Sequence, residues 1–207
     1  MYKRQLLART GTNAWIFGAS QTVGAVAMVI GGVAVGTWGG FKQRIHGVLL
    51  GWAISFVGIL IIGLGRPEPP WMMGLWAAGI LLSSLVVSLI NGSNQAIWMA
   101  KVAPDVQGRV FTTRRLIAWV ANPLARVIAG PLADYVLEPA MSSGGALSNV
   151  FAGLVGTGTG SGMSLLFIFS ALAGLGVALG AYFIPIVRNV EDLLPDHEAA
   201  AQDLALA

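Results

Sequence analysis

Cysteine is absent from the 207 residues, which removes disulfide frameworks and thiolate metal sites at once. Charge is nearly as scarce: 12 Lys and Arg and 9 Asp and Glu make up only 10% of the chain, against roughly a quarter in soluble domains. Histidine occurs only as His46 and His197. No His-Glu-x-x-His pattern is available to hold a catalytic zinc. A membrane serine protease needs a histidine within a span, whereas His46 lies at a loop edge and His197 in the tail. The chain reads as a non-enzyme with no cofactor and no metal site. Its formal charge of +3 comes from cations scattered between apolar runs. That is not the clustered patch of a nucleic-acid binder, so nucleic acid is not an expected partner.

What is abundant is apolar surface. Hydrophobic residues supply 56% of the chain, and the mean hydropathy is +0.75. At this size one water-soluble core cannot bury so much, whereas a lipid bilayer solvates it. A hydrocarbon layer of about 30 Å takes about 20 residues of helix. Stretches of that length fall at 14–38, 45–64, 71–95, 112–136 and 163–187. Alternation with period two is missing, which argues against a transmembrane barrel. The expected fold is an all-α integral membrane protein of about five transmembrane helices, with the bilayer as its first partner.

The connections carry an orientation signal. The first loop holds Lys42 and Arg44, and the third, 96–111, holds Lys101 and Arg109 with Arg114 and Arg115 just beyond. The second holds only Arg66, and the fourth, 137–162, has no Lys or Arg. Arg188 follows the last span. Positive residues mark the cytoplasmic side. By that rule the first and third loops and the C-terminal tail (188–207) are expected in the cytoplasm. The second and fourth loops are expected outside. Within the fourth, the glycine-rich run 156–162 fits neither Gly-x-Gly-x-x-Gly nor a P-loop and reads as a flexible external linker.

Polar content differs between spans. The second and fifth are nearly free of it and read as lipid-facing. In the third, Ser84, Ser88, Asn91 and Gln95 share one helical face, with Asn94 beside it. The fourth carries Asn122 and Arg126 four residues apart, and the first carries Ser20, Gln21 and Thr22. Polar groups in hydrocarbon usually face a bundle interior or an aqueous cavity. Gln21, Asn91, Asn94, Gln95, Asn122 and Arg126 are therefore candidates to line a substrate cavity. The alternative for the Ser, Asn and Gln residues is hydrogen bonding between helices. For Arg126 three readings stay open: an anionic substrate group, an acid on a helix absent from this chain, or snorkelling to the interface.

Two segments are distinctive together: Asn91-Gly92-Ser93-Asn94-Gln95-Ala96-Ile97-Trp98 and Val102-Ala103-Pro104-Asp105-Val106-Gln107-Gly108-Arg109-Val110. They resemble the tenth helix and following loop of major facilitator superfamily exporters in the macrolide-efflux and enterobactin-exporter branch. Segments 39–47, 130–134 and 188–195 are similar to the same branch, so the resemblance covers nearly all of the chain after Gln5. It implies that the five spans are helices eight to twelve of a twelve-helix transporter, in which helices nine and twelve are peripheral. The family's Gly-x-x-x-Asp-Arg-x-Gly-Arg-Arg signature is degenerate here: its acid and first Arg are missing, and Lys42 and Arg44 supply the charge. Lys42, Arg44, Asp105, Arg109, Arg114 and Arg115 become candidates for a cytoplasmic gate, against a role in topology alone.

The resemblance further implies a missing N-terminal half (helices one to seven), a small-molecule substrate in the complete protein, and residence in a bacterial inner membrane. The opening Met1-Tyr2-Lys3-Arg4-Gln5 matches the translation of a transposon sequencing adaptor. Residues 1–5 are accordingly set aside as foreign, and 6–187 are read as a partial C-terminal bundle. The expected function is a piece of an ion-gradient-driven exporter of small amphipathic compounds working by alternating access. The alternative is a genuine five-helix channel or assembly subunit acting as an oligomer.

Overall fold

The structure is a computed structural model that describes residues 5, 9, 11, 13–66, 68–193 and 196–197. Of the pentapeptide read as foreign, all but Gln5 lies outside the described residues, as does most of the tail beyond Leu193. Among the described residues every regular element is helical, and five helical rods are long and apolar enough to cross a membrane. The first is α1 (Ala14–Trp38), which occupies the expected span. The Asn13 side chain starts it by accepting the Trp15 and Ile16 N–H groups. Gly39 ends it in the left-handed conformation that glycine tolerates, donating to Val35 O.

The second rod is α2 (Arg44–Leu64). The third is α3 (Met73–Leu85) followed by α4 (Val87–Lys101), broken at Val86. Just before the break the Ser83 hydroxyl donates to Ile80 O, a back-bond that bends helices. This rod runs six residues past the expected end at Gln95, because Ala96–Lys101 continue the apolar helix. The fourth begins at Pro104, not at Thr112. Proline is pre-shaped for the first helical position, so the second half of the expected third loop is the first turns of α5 (Pro104–Pro131). Pro131 removes a helical donor, and a π-helical stretch (Leu132–Leu137) then leads into α6 (Glu138–Met141). The short α7 (Ser148–Val155) precedes the fifth rod, α8 (Ser161–Phe183). Two single turns, α9 (Pro185–Arg188) and α10 (Val190–Leu193), are the last described helices. The expected fifth span overshot at Val187, because Ile184 and Pro185 break the rod.

Helix α2 is the hub. It packs on α3 and α4 on one side and on α8 on the other, while α1 lies across α3 and α4, and the π-helical stretch and α6 lie on α8. This corrects the expectation that the second span is a lipid-facing outlier. Low polarity suits a helix to protein neighbours as well as to lipid. Between lipid-solvated helices there is little hydrophobic drive, so close packing decides contact. Gly58 and Gly79 supply it. A Cβ on Gly58 would lie 2.8 Å from Gly79 O, and one on Gly79 would lie 2.5 Å from Gly58 O. The neighbouring cluster of Ile62, Trp76 and Ile80 is buried beneath Ile16, Val23 and Met73. A second cluster of Leu137, Met141, Val155, Leu165 and Ile168 joins α6, α7 and α8 at the same end.

In contrast, α5 buries no residue at all between Pro104 and Pro131. Gly79→Ala is expected to cost about 1–3 kcal/mol through overpacking, read as a lowered thermal midpoint in detergent. Gly92→Ala, where the added methyl meets nothing, should leave the midpoint unchanged or higher. Equal midpoints for the two variants would show that the α2–α3 contact does not set stability.

Candidate functional site

Three polar regions stand out. At the end where α2 begins, acids of the tail fold back on the basic loops. The Ile45 N–H donates to Glu191 Oε2 at 2.8 Å, capping the start of α2 with a carboxylate. Gln43 Nε2 donates to Asp192 Oδ2 at 3.2 Å. Lys101 Nζ donates to Glu191 O at 2.7 Å and pairs with Asp196 Oδ1 at 2.8 Å. Arg44 Nη1 reaches Ala96 O at 3.1 Å. A cleft of about 430 Å³ remains between Arg44, Met99, Pro104, Asp196 and His197.

Of the six gate candidates, Arg44 joins this cluster. Arg114 lies with its guanidinium 5.2 Å from the Trp98 ring, fastening the base of α5 to α4. Arg115 stacks at 5.1 Å over Trp119 of its own helix. Lys42, Asp105 and Arg109 are exposed and join no cluster. Lys101, Glu191, Asp192 and Asp196 were missed as a group. The signal for them was the acidic run 191–196 in a chain whose other loops at this end are basic.

At the opposite end Arg9 is enclosed by backbone. Its guanidinium donates to Gly65 O at 3.0 Å, Val155 O at 2.7 Å and Gly160 O at 3.3 Å. Burial pulls its pKa down to about 10; Glu138 opposes that pull and Arg66 adds to it. Arg9 stays a cation at neutral pH. Arg66 donates to Gly153 O and Leu154 O at the end of α7, where a cation suits the helix C-terminus. The Glu138 carboxylate accepts from Gly160 N at 2.5 Å and Gly162 N at 2.8 Å, at the start of α8. Gln5 is buried beside this cluster and donates to Ser164 Oγ at 2.5 Å. The second half of the glycine run, 160–162, is therefore buried and pinned, against the expectation of a flexible linker, while 157–159 are exposed. Its amides and carbonyls are fixed by Glu138 and Arg9, 18 or more residues away in sequence, which a local reading of glycine content does not see.

The third region is the middle of the bundle. Ser88 donates to Met28 O at 3.1 Å, so it links α4 to α1. The six cavity candidates do not converge on one enclosed site. Gln21 is exposed on α1, and Asn91 and Gln95 are exposed on α4 with Asn94 half-buried. Asn122 and Arg126 come together on α5, where they line an open concavity with Trp119, Pro123 and Val127. Asn122 Nδ2 donates back to Ala118 O at 3.3 Å. Arg126 is exposed, and among the described residues its guanidinium has no hydrogen bond or ion pair. No group of three or more potential metal ligands occurs among the described residues.

With this geometry in hand, comparison with known proteins gives one direction. Macrolide efflux protein A of Streptococcus pyogenes is similar, 27% identical over 113 residues, and so is the corresponding protein of its serotype M6 strain. The matched stretch is 54% of this chain and 27% of either relative, so this chain corresponds to about a quarter of their length. No family model matches the chain, and no solved structure does. The similarity is to an efflux protein, in keeping with a helical membrane protein.

The tail cluster has a defined pH response. The hydrogen bond from Lys101 holds the exposed Asp196 carboxyl below its ordinary value of 3.8. A carboxyl depressed in the folded state contributes above its unfolded value and loses that contribution as pH falls below it. A spin label on the cysteine of H197C, unique in this chain, should be restrained at pH 7 and freed as the pH drops below about 3.8. Lys101→Met should free it at pH 7. A label equally mobile in all three conditions would contradict the docked tail.

Proposed function

We propose that the chain is the C-terminal part of a secondary active exporter of the major facilitator type, its five rods standing as helices eight to twelve. The observation that carries this reading is the state of α5. It presents Arg126 within an otherwise uncharged stretch, 116–133, and has no residue buried by the rest of the chain. At 1.5 Å per residue that stretch is about 27 Å long, nearly the thickness of the hydrocarbon layer. A mid-membrane arginine with no cover is expensive in lipid. It is sustainable if a further set of helices closes over α5 and encloses an aqueous path. The polar residues Gln21, Asn91, Asn94, Gln95 and Asn122 would then line that path. The likeness to macrolide efflux protein A supports the same reading.

In the complete protein, small amphipathic compounds would move outward by alternating access, one half rocking against the other around the shared path. An ion gradient would drive the cycle, with protons the favoured ion. Lys42, Arg44, Arg109, Arg114 and Arg115 lie at the end read as cytoplasmic, with the tail on the same side in a bacterial inner membrane. There Arg109, exposed and outside the described clusters, would meet an acid of the other half when the inner gate closes.

The test starts from the coding sequence upstream of Leu6. A continuous frame of about seven more apolar spans is expected. Its product should lower cellular accumulation of an amphipathic dye, an effect abolished by a protonophore, whereas the 207-residue chain should leave accumulation unchanged. A native ribosome-binding site and start at Met1 would end this reading and favour a five-helix subunit that shields α5 by oligomerisation.

A further inference from the structure

The open face of α5 is electrically one-sided. Between Asp105 and Asp134 the sequence holds Arg109, Arg114, Arg115 and Arg126 and no acid. Arg115, Trp119, Asn122 and Arg126 are spaced four, three and four residues apart, which places them on one stripe. The stripe runs from the basic end of the helix to its middle, about 16 Å at 1.5 Å per residue. Arg115 is already occupied by the Trp119 ring. Arg126 is not occupied by any described residue. Beside it, Pro123 has no N–H, so the carbonyl of Trp119 loses its helical donor. Asn122 uses its amide nitrogen on Ala118 O, and its oxygen accepts from no described residue, so it stays available as an acceptor.

The concavity between these residues thus offers a planar, permanently charged donor fork, an aromatic face and two acceptors. Resting on the transporter reading of this face, we propose that it is a subsite for an organic anion: a compound with a carboxylate or similar oxyanion held by Arg126 and a flat apolar body lying on Trp119. A bidentate pair with Arg126 would remove the cost of leaving the guanidinium bare in a low-dielectric path. A cationic amine meets the opposite situation. No acid on this stripe can hold it, and Arg126 repels it most strongly where solvent screening is weakest. The complete protein would then discriminate by charge, favouring anions over amine-bearing macrolides.

The experiment uses the 207-residue chain in discs of zwitterionic phosphatidylcholine. Three dansyl amphiphiles of one chain length, ending in a carboxylate, a carboxamide or an amine, are titrated and followed by energy transfer from tryptophan. The carboxylate should bind at least about tenfold more tightly than the other two, as expected for one charge-assisted hydrogen-bonded pair. Arg126→Gln should level the three, Arg126→Lys should keep the carboxylate first, and Trp119→Leu should weaken all three alike. Equal binding of the three by the unmodified chain overturns the proposal, as does a preference that survives in R126Q. Displacement of the carboxylate by phosphatidylglycerol added to the discs also overturns it and assigns the site to a lipid headgroup. Binding is read here without transport. A completed gene that fails to export would therefore sink the transporter reading and leave this result standing, and export with no charge preference in binding would do the reverse.

Discussion

The contact between the backbones of α2 and α3 at Gly58 and Gly79 is what the rest of the arrangement hangs on. In a bilayer, leucine gains little by leaving lipid for another leucine, so helices associate where their surfaces let them approach closely. Helix α2 carries small residues along its length: Gly47 faces Ser93, Gly51 faces Ile90, Gly58 faces Gly79 and Gly63 faces Ile168. One rod thereby gathers neighbours on two sides. Trp76, only 2% exposed, closes the α1–α3 side near the end of α2. Helix α5 has no equivalent seam on the described residues, and its exposed apolar face is broken only by Asn122 and Arg126.

Charged groups divide the structure differently. At both ends several of them are held by backbone. Arg9 and Arg66 take carbonyls at the end of α7 and around the glycine run, Glu138 takes the amides that open α8, and Glu191 takes the amide that opens α2. Each charge sits where the helix termini already concentrate unsatisfied donors or acceptors. These contacts tie helix ends and loops together. The midsection is the reverse. Arg126 has no partner among the described residues, and Asn91, Gln95 and Asn122 are exposed. That contrast between partnered ends and an unpartnered middle is what the transporter proposal builds on.

Much of this was legible in the sequence. Hydropathy alone locates the five rods, because twenty apolar residues in a row have few alternatives to a membrane helix. The first is delimited to the residue because Asn13 and Gly39 are local punctuation. Local punctuation also explains the errors. Pro104 begins a helix where a charged loop was expected, since Lys101, Asp105 and Arg109 count against hydropathy but not against helix geometry. The glycine run at 156–162 looks flexible until Glu138 and Arg9 are brought to it, and composition does not contain that proximity. The centrality of α2 was invisible for a related reason. An apolar helix facing lipid and an apolar helix wedged among glycines read alike. Asn122 and Arg126, four residues apart on one helix, were the pair of candidates that spacing alone could place together.

The carboxylate that caps α2 lies 146 residues beyond the amide it satisfies. The ribosome therefore delivers α2, with the first amide of its helix bare, long before Glu191 exists. Through the insertion of every later rod that end of the hub has only water and headgroups for partners. Fastening it waits until the fifth rod has been made. A chain interrupted anywhere before Val190 would hold five spans or fewer with the hub's entry uncapped and Lys101 without its carbonyl and carboxylate partners.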